Sequence, residues 1–231
     1  MKRNLSLTLL ACLFITQTGH TQTTEGIAQK GFKYNNHFDL ALGIGGDGFT
    51  SAVSWVKFHG VGKKKKFKIG YGLRLSNYFG TNNTYKTAPA HLIKQEKIDE
   101  ITFSQSQTNS LNATLNFAYG ISPKFEIGFN IDAIGISFGA EQNASKAGIH
   151  MGKANPTTGN FLLVGNNDIG NLNSEFYIRY RVRSTFSIRA GLSHFFSEYT
   201  TQTKLAYNNN RYRLITDLGF IGFTFSPFLK N

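Results

Sequence analysis

The chain has 231 residues, 25 of them basic and 13 acidic, for a formal net charge of +12, and it carries 21 Phe and 10 Tyr while its mean hydropathy is slightly negative at -0.24. Beyond residue 21 no apolar run reaches the roughly 20 residues that a membrane-spanning helix needs, which excludes a helical membrane protein. The single cysteine, Cys12, excludes an intramolecular disulfide.

Residues 1–21, MKRNLSLTLLACLFITQTGHT, have the layout of a secretory signal peptide: Lys2 and Arg3, an apolar run from Leu5 to Ile15, then the small residues Gly19 and Thr21 before a cleavage point. Leu9-Leu10-Ala11-Cys12 has the form of a lipoprotein acylation signal, but the apolar run continues past it through Leu13, Phe14 and Ile15. Residues 22–35 read as a flexible lead-in, and 36–231 as one domain.

That domain is a succession of period-2 segments. Residues 36–45 alternate Phe38, Leu40, Leu42 and Ile44 against Asp39, Ala41 and Gly43; after a glycine-rich tip, 49–58 form a second strand of ambiguous facing. The basic link HGVGKKKK leads to a third, 67–79, with Phe67, Ile69, Tyr71, Leu73 and Leu75 opposed to Lys68, Gly70, Gly72, Arg74 and Ser76. Residues 108–136 make a hairpin: Leu111, Ala113, Leu115, Phe117 and Tyr119 on one strand, Phe125, Ile127, Phe129 and Ile131 on the next, joined at Ser122-Pro123-Lys124, where proline fixes a backbone angle and cannot donate to a ladder. Strands at 172–182 and 186–193 follow, and 212–228 form the last, where a switch of the apolar face from Leu214, Leu218 and Phe220 to Ile221, Phe223 and Phe225 predicts a bulge.

About eight strands of this length suit a tilted crossing of a bilayer. Residues 81–107, 140–171 and 198–211 read as long connections, alternating with short ones, as in barrels with short turns on one side and long loops on the other. The expected fold is therefore all-β, an antiparallel up-and-down transmembrane β-barrel, with Tyr71, Tyr119 and Tyr180 in an interfacial girdle. A soluble sandwich or lipocalin-like barrel uses the same alternation with the apolar face inward.

The signal peptide, the amphipathic strands, the alternate long loops and the aromatic ending FIGFTFSPFLKN resemble the small outer-membrane β-barrel proteins of Gram-negative bacteria, especially those of Bacteroidetes. The resemblance implies an outer-membrane location, the surrounding lipids and the barrel assembly machinery as partners, and loops open to an extracellular ligand. It also implies that an aromatic residue of the last strand guides assembly. Phe228 would fill that place, though Leu229, Lys230 and Asn231 follow it.

Charged residues on the polar face, Asp39, Lys68, Arg74, Glu126, Asp132, Glu175, Arg179, Arg181 and Arg189, are expected to pair in a network that plugs the lumen, with Glu126 and Arg181 as the leading pair. Lys63, Lys64, Lys65 and Lys66 form a basic turn at the periplasmic end. The loop segments 81–100 and 140–171 balance their charges, so the basic excess gives no reason to place an anionic partner there, and export argues against nucleic acid. Gly43-Ile44-Gly45-Gly46-Asp47-Gly48 matches the dinucleotide fingerprint, but a strand-like segment follows where a helix is required.

In LSHFFSE, residues 192–198, His194 faces outward near the outer end. Lipid A deacylases place a serine two residues after such a histidine; here Phe196 stands there, and Ser197 lies on the other face. No metal-ligand spacing and no cofactor motif occurs, so no catalytic residue, metal or cofactor is expected. The reading is a non-enzymatic barrel with a structural or surface-interaction role, with a lipid A-modifying enzyme or a narrow pore as alternatives.

Overall fold

The computed structural model describes residues 36–46, 48–163 and 165–227; the expected signal peptide, the lead-in, Asp47 and Phe228 lie outside them. In chain order the strands are β1 (Asn36–Gly45), β2 (Gly48–Val61), β3 (Phe67–Thr87), β4 (Glu100–Gly120), β5 (Phe125–Phe138), β6 (Gln142–Lys146), β7 (Ile149–Pro156), β8 (Gly159–Phe161), β9 (Leu172–Arg181), β10 (Phe186–Thr201) and β11 (Arg211–Phe225), with a short helix α1 (Ala90–Lys94) between β3 and β4.

Each of β1 to β4 pairs antiparallel with its successor, β5 pairs with β9, and β9, β10 and β11 continue in order. β11 returns to β1, with Phe38 opposite Phe225 and Ile44 opposite Gly219. The result is the closed eight-stranded barrel that the alternation predicts. Leu40, Leu42, Val53, Leu73, Leu75, Leu115, Phe129, Ile178 and Ile221 stand exposed on its outside, while Asp39, Lys68, Arg74, Asn116, Glu126, Glu175 and Arg189 are buried inside. An apolar exterior around a polar interior is the distribution of a transmembrane barrel, and it is the reverse of the soluble alternative.

Aromatic rings gather at the end with the short turns. Phe225 lies across from both Phe38 and Phe186, Tyr180 across from Phe125 and Tyr119 across from Phe67, while Tyr71 packs edge-on to Trp55. This is the interfacial girdle expected of Tyr71, Tyr119 and Tyr180.

At the opposite end the structure departs from the sequence reading. Residues 81–107 are not one long polar connection, since β3 and β4 stay paired up to Lys86 and Glu100. Only residues 88–99, with α1, connect them. Residues 140–171 hold three further strands: β6 pairs with β4 and with β7, β7 with the upper part of β10, and β8 with β5. β11 reaches over the short β1–β2 hairpin to pair with β3, Tyr212 opposite Thr87 and Arg213 opposite Lys86. Strands β3, β4, β6, β7, β10 and β11 thus close a second, six-stranded ring above the first. Polar composition misled the sequence reading here because both strands jump phase together. Gly80 and Asn83 both point in, as do Phe103 and Ser106, so strict alternation is broken on each partner at the same level.

The expected bulge in β11 is absent, for β10 and β11 stay in one register from Phe186–Phe225 to Thr200–Arg211. Leu214, Leu218 and Phe220 simply face inward, onto an apolar filling, while Ile215, Ile221 and Phe225 face out. The irregularity lies in β5 instead, where Ala113 faces Ile134 and Thr114 faces Asp132, leaving Ala133 unpaired.

Closure by hydrogen bonds all around the wall makes a barrel resistant to detergent until heated. The purified chain is expected to migrate differently on a gel with and without boiling; identical migration would contradict the fold.

Candidate functional site

Charges from five strands meet in the lumen. Lys68 Nζ on β3 donates to Glu126 Oε2 on β5 (2.6 Å), and Arg179 Nη1 on β9 donates to Glu126 Oε1 (2.8 Å). Arg189 Nη1 on β10 donates to Glu175 Oε2 (2.6 Å), and Arg74 Nη1 lies 3.2 Å from Asp132 Oδ1. Asp39 on β1 sits between Arg179 (3.6 Å) and Arg189 (3.8 Å). Four cations therefore face four carboxylates, all nearly inaccessible to solvent, and their formal charges cancel. Such cancellation is required where removal of one partner strands a buried charge.

Arg181, the ninth residue expected in the network, lies at its turn end. Glu126 has Arg179 directly across the β5–β9 ladder, whereas Arg181 is one step nearer the turn, opposite Ser187 of β10. Glu126 of the leading pair expected from sequence meets Arg179 and Lys68. Register sets which side chains meet across a ladder.

Sequence reasoning missed the neutral members. His37 Nε2 lies 3.2 Å from Asp39 Oδ2 and 3.4 Å from Arg179 Nη2, while the ring of His37 stacks on Phe58 (5.5 Å). The Tyr177 ring lies beside both Arg179 (5.1 Å) and Arg189 (5.2 Å), a cation–π position on each side. Gly128 makes this possible, since a Cβ there would collide with the Tyr177 ring. Asn130 Nδ2 donates to Glu175 Oε2 (2.8 Å) and Asn112 Nδ2 to Asp132 Oδ2 (2.8 Å), so amides bridge the carboxylates. The alternation gave their facing; nothing in the sequence marked them as bridges.

Above the charges the filling changes character. Inside the six-stranded ring, Tyr78 stacks on Phe195 (5.1 Å), and Tyr85 meets Phe103 (4.9 Å) and Tyr199 (5.5 Å) edge-on. Ile101, Leu214 and Leu218 complete this core. Its hydroxyls are satisfied: Tyr85 Oη donates to Ser197 Oγ (3.0 Å), Tyr199 Oη to the Gln107 carbonyl (2.9 Å), and Tyr212 Oη to Asp99 Oδ2 (3.2 Å). Burial pushes the Tyr85 and Tyr212 phenols above their ordinary range.

On the outer wall at the same level, Glu198 is fully buried beneath the segment that follows β7. Arg211 Nε (2.8 Å) and Arg213 Nη2 (2.7 Å) donate to its two oxygens, and its backbone N–H donates to Asn171 Oδ1 (2.8 Å). Both arginines also donate to the Asp168 carbonyl, which ties the loop to the wall.

His194 does point outward, as its register predicts, and its Nδ1 lies 2.7 Å from Asp217 Oδ1 on β11. Phe196 packs edge-on to the imidazole (5.0 Å), and Ser197 lies inside the ring of strands. Lys63 to Lys66 are exposed in the β2–β3 turn, at the girdle end. The glycine run at 43–48 turns strand into strand, β1 into β2.

Fold and lumen together define a small transmembrane β-barrel with a filled interior. The chain is similar to the solved structure of Neisserial surface protein A at 10% identity over 83% of this chain and 94% of that one, with a TM-score of 0.39. It is similar to the outer membrane protein Ail of Yersinia pestis at 8% identity over 84% and 99%, with a TM-score of 0.35. For the toluene transporter TbuX of Ralstonia pickettii the values are 12%, 79%, 69% and 0.22. No family model and no curated protein sequence matches the chain.

Replacing Arg179 by Met leaves the network one cation short, with Glu126 held by Lys68 and Asp39 by Arg189, and is expected to cost about 3–5 kcal/mol. Urea unfolding in phospholipid vesicles, followed by the emission of the single tryptophan, Trp55, would measure it. Adding Glu126→Gln to that variant should recover part of the loss; equal stability of all three proteins would show that the pair contributes nothing.

Proposed function

We propose that this chain is an outer-membrane β-barrel with a sealed lumen, acting through its structure and its surface loops rather than by conduction. The observation that carries this reading is the filling of the lumen at two successive levels. A neutralised ion-pair network occupies the eight-stranded ring, and an aromatic core occupies the six-stranded one. A conducting path would have to cross both, displacing paired charges from one and packed rings from the other.

The direction in the membrane follows from the ends. Short turns and the lysine turn lie in the periplasm, and the six-stranded ring with its loops lies outside the cell. Lys63 to Lys66 meet the anionic inner surface there. The outer loops are held in place by the Glu198 clamp, and an asparagine-rich cleft lies between α1 and residues 166–168 and 207–211. Asn166, Asn209 and Asn210 line it together with Asp168, Lys204 and Arg211, side chains suited to a polar extracellular ligand. Lipids around the belt and the barrel assembly machinery are the other partners of this reading.

Planar bilayers holding the refolded protein are expected to show no steady conductance, and stepwise currents would overturn the sealed reading. Changing Lys63 to Lys66 to Gln is expected to weaken insertion into anionic liposomes and to remove its salt sensitivity. Insertion with unchanged salt dependence would remove the lysine turn from the account.

A further inference from the structure

On β9, β10 and β11 the outer wall carries a row of polar side chains that the lumen does not explain. His194 on β10 is directly opposite Ser174 on β9 and directly opposite Asp217 on β11. Directly opposed side chains in an antiparallel sheet have Cβ atoms about 4.5–5.5 Å apart, and all three project outward. Serine, histidine and aspartate thus lie side by side on three adjacent strands, with the histidine in the middle. His194 and Asp217 keep 48% and 80% of their side-chain surface accessible, and Ser174 is half-buried.

The surroundings of the row are apolar. Along β10 it is bracketed by Leu192 and Phe196, along β11 Ile215 lies above it, and on β9 Phe176 lies below Ser174. Gly219, next below Asp217 on the outer face, leaves a gap: a Cβ placed there would meet no atom within 4 Å. An ionisable pair in such a wall is costly unless it has work to do.

The imidazole is already oriented. Its Nδ1 is 2.7 Å from Asp217 Oδ1, and Phe196 holds its face at 5.0 Å. A ring held at Nδ1 from the β11 side directs Nε2 away from Asp217. This is the order of roles in a serine hydrolase: nucleophile, base, and a carboxylate that fixes the base.

We propose that Ser174, His194 and Asp217 form an acyl-ester hydrolase site that opens directly onto membrane lipid. The reaction requires a Ser174 rotamer that turns Oγ toward Nε2. Oγ adds to the carbonyl carbon of a lipid ester while Nε2 takes its proton. The ester C–O bond breaks, the departing alkoxide takes that proton, and an acyl-serine remains. Water then adds to the acyl carbon, giving a proton to Nε2, and Ser174 leaves with that proton. The net change is lipid ester plus water to fatty acid plus alcohol. Ser174 and His194 are the catalytic residues, and Asp217 is a positioning residue.

The shared substrate chemistry is a fatty acyl ester, carried both by glycerophospholipid and by the lipid portion of lipopolysaccharide. The test uses the full chain refolded in detergent, with heat-modifiable migration confirming the fold of every variant. One arm supplies phosphatidylethanolamine in mixed micelles and the other lipopolysaccharide, and both measure released fatty acid by mass spectrometry. A fluorophosphonate probe is added in parallel and its attachment site mapped. Release in either arm, with the probe on Ser174, is expected, and the arm that responds identifies the lipid. Ser174→Ala and His194→Gln should remove both release and labelling. Asp217→Asn should lower kcat by at least about 100-fold with little change in KM, and Asp217→Glu should restore part of it. Folded protein that releases nothing in either arm and takes up no probe would overturn the site, as would labelling of another serine or full activity in Ser174→Ala. None of these outcomes bears on conductance, so the sealed-lumen reading stands or falls separately.

Discussion

In hydrocarbon no water is present to accept or donate a hydrogen bond, so a spanning sheet must satisfy every edge from within. The pairing of β11 with β1 meets that constraint, and the rest of the molecule is shaped by it. Closure at eight strands fixes a bore just wide enough for side chains. A bore of that width, lined by every second residue of each strand, forces the polar residues of opposite walls into contact. Charge there cannot be left to solvent, and the lumen accordingly balances Lys68, Arg74, Arg179 and Arg189 against Asp39, Glu126, Asp132 and Glu175.

The same constraint explains why the interior changes from ionic to aromatic along the axis. Beyond the β1–β2 hairpin the wall has lost two strands, and β11 must find a new neighbour to stay paired. It finds β3, and the narrower six-stranded ring has Tyr78, Tyr85, Phe103, Phe195 and Tyr199 at its centre. Rings fill a contracted bore without the need for counter-charges, and their hydroxyls reach partners in the wall. The Glu198 cluster does on the outside what this core does on the inside, holding the segment after β7 against β10 and β11.

The barrel itself was legible because alternation is the strongest signal a half-buried strand gives, as in Phe67 to Ser76. The facing of the network residues followed from it. Their partners did not, since pairing depends on register, and the sequence holds no record of which residue of β9 lies opposite Glu126. Where the inward face is itself apolar, as at Leu214, Leu218 and Phe220, the contrast between faces vanishes and a bulge was read into a straight strand. The upper ring was hidden for a related reason: Asn83 and Ser106 give polar composition to strands whose neighbours Tyr85 and Phe103 are buried. Ser174 and Asp217 escaped notice because a search along one strand cannot see its neighbours.

The narrowing of the wall above β1 and β2 leaves that hairpin outside the closed outer ring, ending in a ledge on the flank of the barrel. Nothing in the upper ladder passes through its tip. Chain inserted there would lengthen a two-stranded ribbon without breaking either ring, which makes the tip a natural point for grafting a foreign peptide, whereas an insertion of equal length in β6 or β7 would sever the second ring.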